Sequence, residues 1–145
     1  MLTVLRALPR RVALAFLMTD MQGHDVVALR SAGSELLRAE FVVAEVNYGG
    51  FSAYPGVSNS FCDLLLHMDN IGMELVGVRW SDRPPSHLRK NATAAQRHCG
   101  PDGRERHDWP KFADGTLEID SYWASPRRTR ARPPVREREW PWSRE

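Results

Sequence analysis

The chain has 145 residues, enough for one domain and too few for two of ordinary size. Hydrophobic residues make up 42% and charged residues 26%, which excludes a chain without a core. The longest apolar run, residues 12–18, is only seven residues long, so nothing here spans a bilayer. The net charge of +2 is unevenly spread: residues 1–125 hold 13 basic and 15 acidic groups, and residues 126–145 hold 7 Arg and 3 Glu. The basic excess therefore belongs to the tail.

Residues 1–19 carry Arg6, Arg10 and Arg11 and no acidic group. They make a poor secretory signal, because the apolar core is short and Thr19-Asp20 stands where a small-x-small cleavage site belongs. A mitochondrial-type presequence fits the arginines but has no serine. The plainer reading is a basic lead-in to a buried strand, in a cytoplasmic chain whose Asn91-Ala92-Thr93 sequon stays unmodified. Two cysteines, Cys62 and Cys99, make no disulfide framework and no CxxC knuckle, so reduced thiols are expected. Cys62 reads as a small apolar residue within a helix.

Residues 12–18 are apolar without alternation, which suits a parallel strand covered on both faces. The turn Thr19-Asp20-Met21-Gln22-Gly23 ends it. Residues 24–38 have helical spacing in Val26, Leu29, Gly33, Leu36 and Leu37, with Gly33 a point where the helix breaks or bends. Residues 41–46 form a second strand, closed by Asn47 and the Tyr48-Gly49-Gly50 turn. Ser60 and Asp63 resemble a capping box opening a helix that carries Phe61, Leu64, Leu65 and Met68, with Gly72 just past its end. Residues 73–80 are a third strand. The order strand–helix–strand–helix–strand predicts an α/β sheet with parallel crossovers.

Residues 81–115 contain four prolines and no sustained periodicity, so a long irregular loop is expected, with a short helix over 88–96. Residues 116–123 alternate and predict a last, half-exposed strand. The division is therefore an α/β domain over 1–125 and a disordered Arg/Pro-rich tail over 126–145.

In an open parallel sheet, ligands bind beyond the carboxyl ends of the strands. Asp20 and Gln22 leave the first strand on that edge, and Glu45 and Asn47 leave the second. Two such carboxylates could act as a general base, or orient a hydroxyl or a cation. Equally, Asp20 could simply cap the following helix and Glu45 be a solvated strand-end charge. His87, His98 and His107 with Cys99 match no zinc-ligand spacing, so no metal site is expected. The tail interleaves Arg127, Arg128, Arg130, Arg132, Arg136 and Arg138 with Trp140 and Trp142, a pattern that can hold phosphates and stack bases. A solvated arm is the simpler reading, and nucleic acid is not the expected partner.

Taken together, residues 19–32 and 41–47 resemble FkbM-type S-adenosylmethionine-dependent methyltransferases. The family's D-x-[EQ]-G-x-[ED] turn is matched by Asp20, Gln22, Gly23 and Asp25, and the helix after it loosely by residues 27–32. The glutamate after the next strand is matched by Glu45. Later features resemble Tyr54, the helix over 61–68, Gly72-Met73-Glu74-Leu75, and Ile119-Asp120-Ser121-Tyr122-Trp123. Met18 stands where a lysine is common, and Ser31 where a glycine is. Neither the glycine-rich loop after the first family strand nor the acidic residue after the second has a counterpart.

The resemblance implies a partial Rossmann-like methyltransferase sheet: strands like 4, 5, 6 and 7 of an order 3-2-1-4-5-7-6. It further implies methyl transfer from S-adenosylmethionine to a hydroxyl of a sugar or polyketide, with Asp20 catalytic and Gln22, Glu45 and Tyr54 against the substrate. The isolated chain is then expected to be a C-terminal half that is inactive alone and does not bind the cofactor. Its first strand would lie at an open apolar edge, inviting a partner chain. A non-enzymatic module that pairs through that edge is the alternative.

Overall fold

A computed structural model describes residues 1–48, 56–80, 96–104, 106 and 117–126. Helix α1 (Leu2–Ala7) leads into strand β1 (Leu14–Thr19). Helix α2 (Asp25–Ala32) follows, and a 3-10 segment (Gly33–Arg38) feeds strand β2 (Ala39–Tyr48). Helix α3 (Phe61–Ile71) and strand β3 (Glu74–Trp80) come next, and strand β4 (Leu117–Ala124) completes the sheet.

The four strands lie in the order β1-β2-β4-β3. β1 and β2 are parallel, and β4 runs antiparallel to both β2 and β3, so β1, β2 and β3 share one direction. The chain is thus an α/β fold with a mixed sheet. Both crossovers advance the same way across the sheet, and a common hand then puts α2 and α3 on one face.

Strand alternation sorts the core. Val42, Ala44, Val46 and Tyr48 of β2 point to the helix side, next to Trp123 and Ile119 of β4. There they meet Leu5 of α1, Val26 and Leu29 of α2, Leu36, and Phe61, Leu64, Leu65 and Met68 of α3. Trp123, the largest side chain in this core, is fully buried. Its indole N–H donates to Ser121 Oγ, whose hydroxyl donates to the Ala44 carbonyl, each at 3.0 Å. The aromatic ring is thereby buried with its one polar atom satisfied.

Arg38 holds the N-terminal helix in place. Its guanidinium donates to the carbonyls of Leu5, Leu8 and Pro9, and lies 3.5 Å from Glu35. α1 is only six residues long and could not persist alone, so this clamp and the burial of Leu5 hold it to the body.

Several expectations are corrected. The helix expected over 24–38 stops at Ala32, because Gly33 takes a positive φ of 54° and the chain tightens into a 3-10 turn. The first strand is not covered on both faces: it is the sheet edge, with Phe16 49% and Met18 59% exposed. β4 alternates buried and partly buried residues, as expected of a half-exposed strand, and is the interior one between β2 and β3. Ser60 precedes α3 but makes no side-chain cap bond. Asp63 instead accepts from Arg30 at 3.0 Å and from the Ser58 hydroxyl at 3.4 Å. Gly72 does end α3 in the left-handed conformation, with φ 83°.

The cysteines are the largest correction. Cys62 and Cys99 form a disulfide, with Cα atoms 5.3 Å apart and a separation of 37 positions along the sequence. It fastens the segment 96–104 to α3, where Gly103 is buried against Leu66. Such a bond persists in an oxidising compartment, contrary to the expectation of reduced thiols. The short helix expected over 88–96 and the tail over 127–145 lie outside the described residues. Among the described residues no helix is long and apolar enough to cross a membrane.

Candidate functional site

β1 ends at Thr19, which pairs with Ala44 and sends its hydroxyl toward the Val43 carbonyl at 3.5 Å. The next residue, Asp20, therefore falls level with Glu45. Glu45 is directly opposite Asp120 on β4, and Asp120 is directly opposite Arg79 on β3. A row of charge thus crosses the sheet near the carboxyl ends of its parallel strands: Asp20, Glu45, Asp120, Arg79. Directly opposed residues bring their Cβ atoms to about 5 Å, so these side chains act on one another.

Within this row the protonation of Glu45 and Asp120 is shifted. Glu45 is pushed up to about 7, first by partial burial and then by the charges of Glu118, Asp20, Asp120 and Asp25. Asp120 is also raised, mainly by burial, with Asp20 adding to the effect and Arg79 opposing it. Tyr122, two positions along β4 from Asp120, is raised by burial and by Asp120, while Arg79 and a hydrogen bond from its side chain lower it. A carboxyl near 7 exchanges its proton at neutral pH, the property a general base needs.

The turn after β1 is built around these groups. Gln22 Nε2 donates to Asp20 Oδ1 at 3.0 Å, so two of the expected site residues are joined. Gln22 has a positive φ of 49° and Gly23 one of 89°. A non-glycine residue held in that region is strained, and such strain gathers at functional turns. Asp25, fully buried at the start of α2, accepts the Met21 N–H at 3.2 Å through Oδ2. Its Oδ1 has no hydrogen-bond partner. Asp20 is therefore not the helix cap: the exposed Asp20 faces the row, and Asp25 braces the turn.

Asn59 joins this turn to β2. Its side-chain oxygen accepts the Val26 N–H at 3.1 Å, and its amide donates to the Glu45 carbonyl at 3.0 Å. Its own carbonyl accepts the Asn47 N–H at 2.7 Å. One buried side chain thus fixes the start of α2 relative to Glu45. Asn47, also buried, keeps an Nδ2 without a partner beside this joint.

Asp20, Gln22 and Glu45 are brought together as expected from the strand ends. Tyr54 lies outside the described residues. Arg79 has no place among the residues singled out from the sequence, and Asp120 and Tyr122 enter there only as part of the resemblance. The alternation Glu118, Asp120, Tyr122 was the available signal, since it marks a polar face on β4. Among the described residues no group of His, Cys, Asp and Glu side chains is arranged to hold a metal ion.

The fold and the row define an α/β protein with a carboxylate-rich end to its sheet. No protein-family model, curated protein or solved structure matches the chain.

Proposed function

We propose that this chain provides the acceptor side of a methyl-transfer domain resembling the FkbM type, holding a small hydroxyl compound on the row Asp20–Glu45–Asp120–Arg79. The observation that carries the reading is the strand order β1-β2-β4-β3, with antiparallel β4 inserted between parallel neighbours. It corresponds to strands 4-5-7-6 of the family's sheet, and the charged row lies at the strand ends where such sheets take ligands. In this reading Gln22 and Asp20 orient the hydroxyl by hydrogen bonds, and Glu45 accepts its proton. Arg79 offsets the charge left on the row.

The chain's own residues do not fit S-adenosylmethionine. The turn after β1 engages its polar groups within itself, with Met21 N–H on Asp25, His24 N–H on the Met21 carbonyl and the Gln22 side-chain amide on Asp20. These bonds hold the turn to itself, and the sequence has no glycine-rich loop to cradle a cofactor. The proposed step is therefore proton acceptance by Glu45, and no step is assigned to the cofactor.

The test is shift mapping of the isotope-labelled full chain against a panel of monosaccharides and other small hydroxyl compounds. Shifts centred on Asp20, Gln22, Glu45 and Asp120, and weakened by Glu45→Gln, are expected. Shifts elsewhere, or none across the panel, overturn the reading. Calorimetry with S-adenosylmethionine is expected to give no heat of binding; micromolar binding lost in Asp20→Ala overturns the statement of misfit. The alternative, a module that pairs through the edge of β1, is favoured by one observation, the exposure of Phe16 and Met18.

A further inference from the structure

Among the described residues no strand lies beyond β1, which is the edge of the sheet. Val12, Phe16, Met18 and Met21 are exposed large apolar side chains in or beside this strand. An apolar edge of this kind calls for a cover, and the residues along it specify one.

Successive side chains of a strand alternate between faces, so the even-numbered residues form one row. That row reads Arg10, Val12, Leu14, Phe16, Met18, Asp20. It starts with a cation, continues with four apolar residues and ends with an anion. A row with this pattern is complementary to itself when reversed. Set antiparallel about an axis through Ala15, Phe16 of one copy falls opposite Leu14 of the other, Met18 opposite Val12, and Asp20 opposite Arg10. Directly opposed residues of antiparallel strands share a face, so apolar meets apolar and opposite charges meet at both ends. Val12 and Ala13 need only continue the strand by two residues. Arg10 then comes alongside from the turn in which the Val12 N–H bonds the Pro9 carbonyl. A parallel pairing would instead set Arg10 on Arg10 and Asp20 on Asp20.

We propose that β1 pairs antiparallel with β1 of a second copy of this chain, giving a two-fold dimer with one sheet running through both subunits. The inference rests on the edge reading and not on the acceptor reading. A failure to bind hydroxyl compounds leaves it standing, and a monomer leaves the acceptor site standing.

Sedimentation of the full chain between about 1 and 100 µM is the primary test, with a micromolar dimer expected. Met18→Lys puts a charge on the paired face and is expected to weaken the dimer by more than about a hundredfold, with an unchanged far-ultraviolet spectrum. Ala15→Cys is expected to cross-link the two copies under mild oxidation, because residue 15 meets itself on the axis. Val4→Cys, exposed on α1, should not. Asp20→Arg should weaken dimerisation by about fivefold through the two end pairs, and adding Arg10→Asp should restore it. A monomer up to about 100 µM overturns the proposal, whatever segment of the same chain covers the edge. So does open-ended aggregation, or a dimer without the Ala15→Cys cross-link. The cross-link decides the matter if Met18→Lys fails to fold, and an Asp20→Arg chain that dimerises as tightly as the wild type overturns the register.

Discussion

β4 and β1 carry five apolar residues each, in eight and six positions, and have opposite fates. β4 is paired on both sides, and its Trp123 is completely buried with its indole N–H satisfied. β1 is paired on one side and leaves Phe16 about half exposed. Apolar content alone therefore does not decide which strand becomes the centre of this sheet. Alternation does: β4 offers a clean split between Ile119, Ser121 and Trp123 on the helix side and Glu118, Asp120 and Tyr122 on the other. β1 has no polar face to give to water, so its outer side keeps exposed apolar surface at Phe16 and Met18.

The contrast can be tested from its stronger side. Trp123→Ala is expected to destabilise the fold by about 4 kcal/mol, through lost burial and a cavity the helices cannot close; chemical denaturation measures it. Cys99→Ser should cost about 3 kcal/mol by releasing a 37-residue separation from its constraint, and reducing agent should lower the stability of the wild type alone. Asn59→Ala removes two side-chain hydrogen bonds, one of them buried, at the joint between α2 and β2, and about 2 kcal/mol is expected.

Glu45→Gln has an effect that depends on pH. The folded-state pKa, pushed up to about 7, exceeds the ordinary value of 4.5, so the favourable contribution is fully present below 4.5 and is lost as pH rises through 7. The wild type should therefore melt lower at pH 8 than at pH 5. The variant should lack this part of the fall and melt higher than the wild type at pH 8 by roughly 3 °C, screening by water keeping the effect small. The smallest effect belongs to β1: Phe16→Thr should change monomer stability by less than about 0.5 kcal/mol, because half the ring is already in water. A large loss there would mean that β1 is as much a part of the core as β4.

What the sequence disclosed follows the reach of its signals. The strand and helix sites could be read because β2, α3 and β4 bury whole faces and so carry a clear period. Gly72 ends α3 as read, since a left-handed residue after a helix is a local requirement. Asp20 and Glu45 could be placed together because strand ends sit on one edge of a parallel sheet. The insertion of β4 between β2 and β3 came only as an implication of the resemblance, since pairing over more than thirty intervening positions leaves no local period. Arg79 was missed for that reason: it joins the row only because β4 brings Asp120 beside it. The Cys62–Cys99 bond likewise depends on a distance in space that no spacing along the chain reports.

The position of β4 also governs how the molecule is made. The strand synthesised last among the four fills the middle of the sheet, so a nascent chain that ends before Leu117 has no means of joining β2 to β3. Until residues 117–124 leave the ribosome, the β1–β2 pair exposes the side of β2 that later takes β4, and β3 stands alone. Closure is a late event requiring contacts distant in sequence, the kind that folds slowly and leaves unpaired strands open to other chains. Stalled or prematurely terminated products should therefore engage chaperones well beyond what the finished protein does.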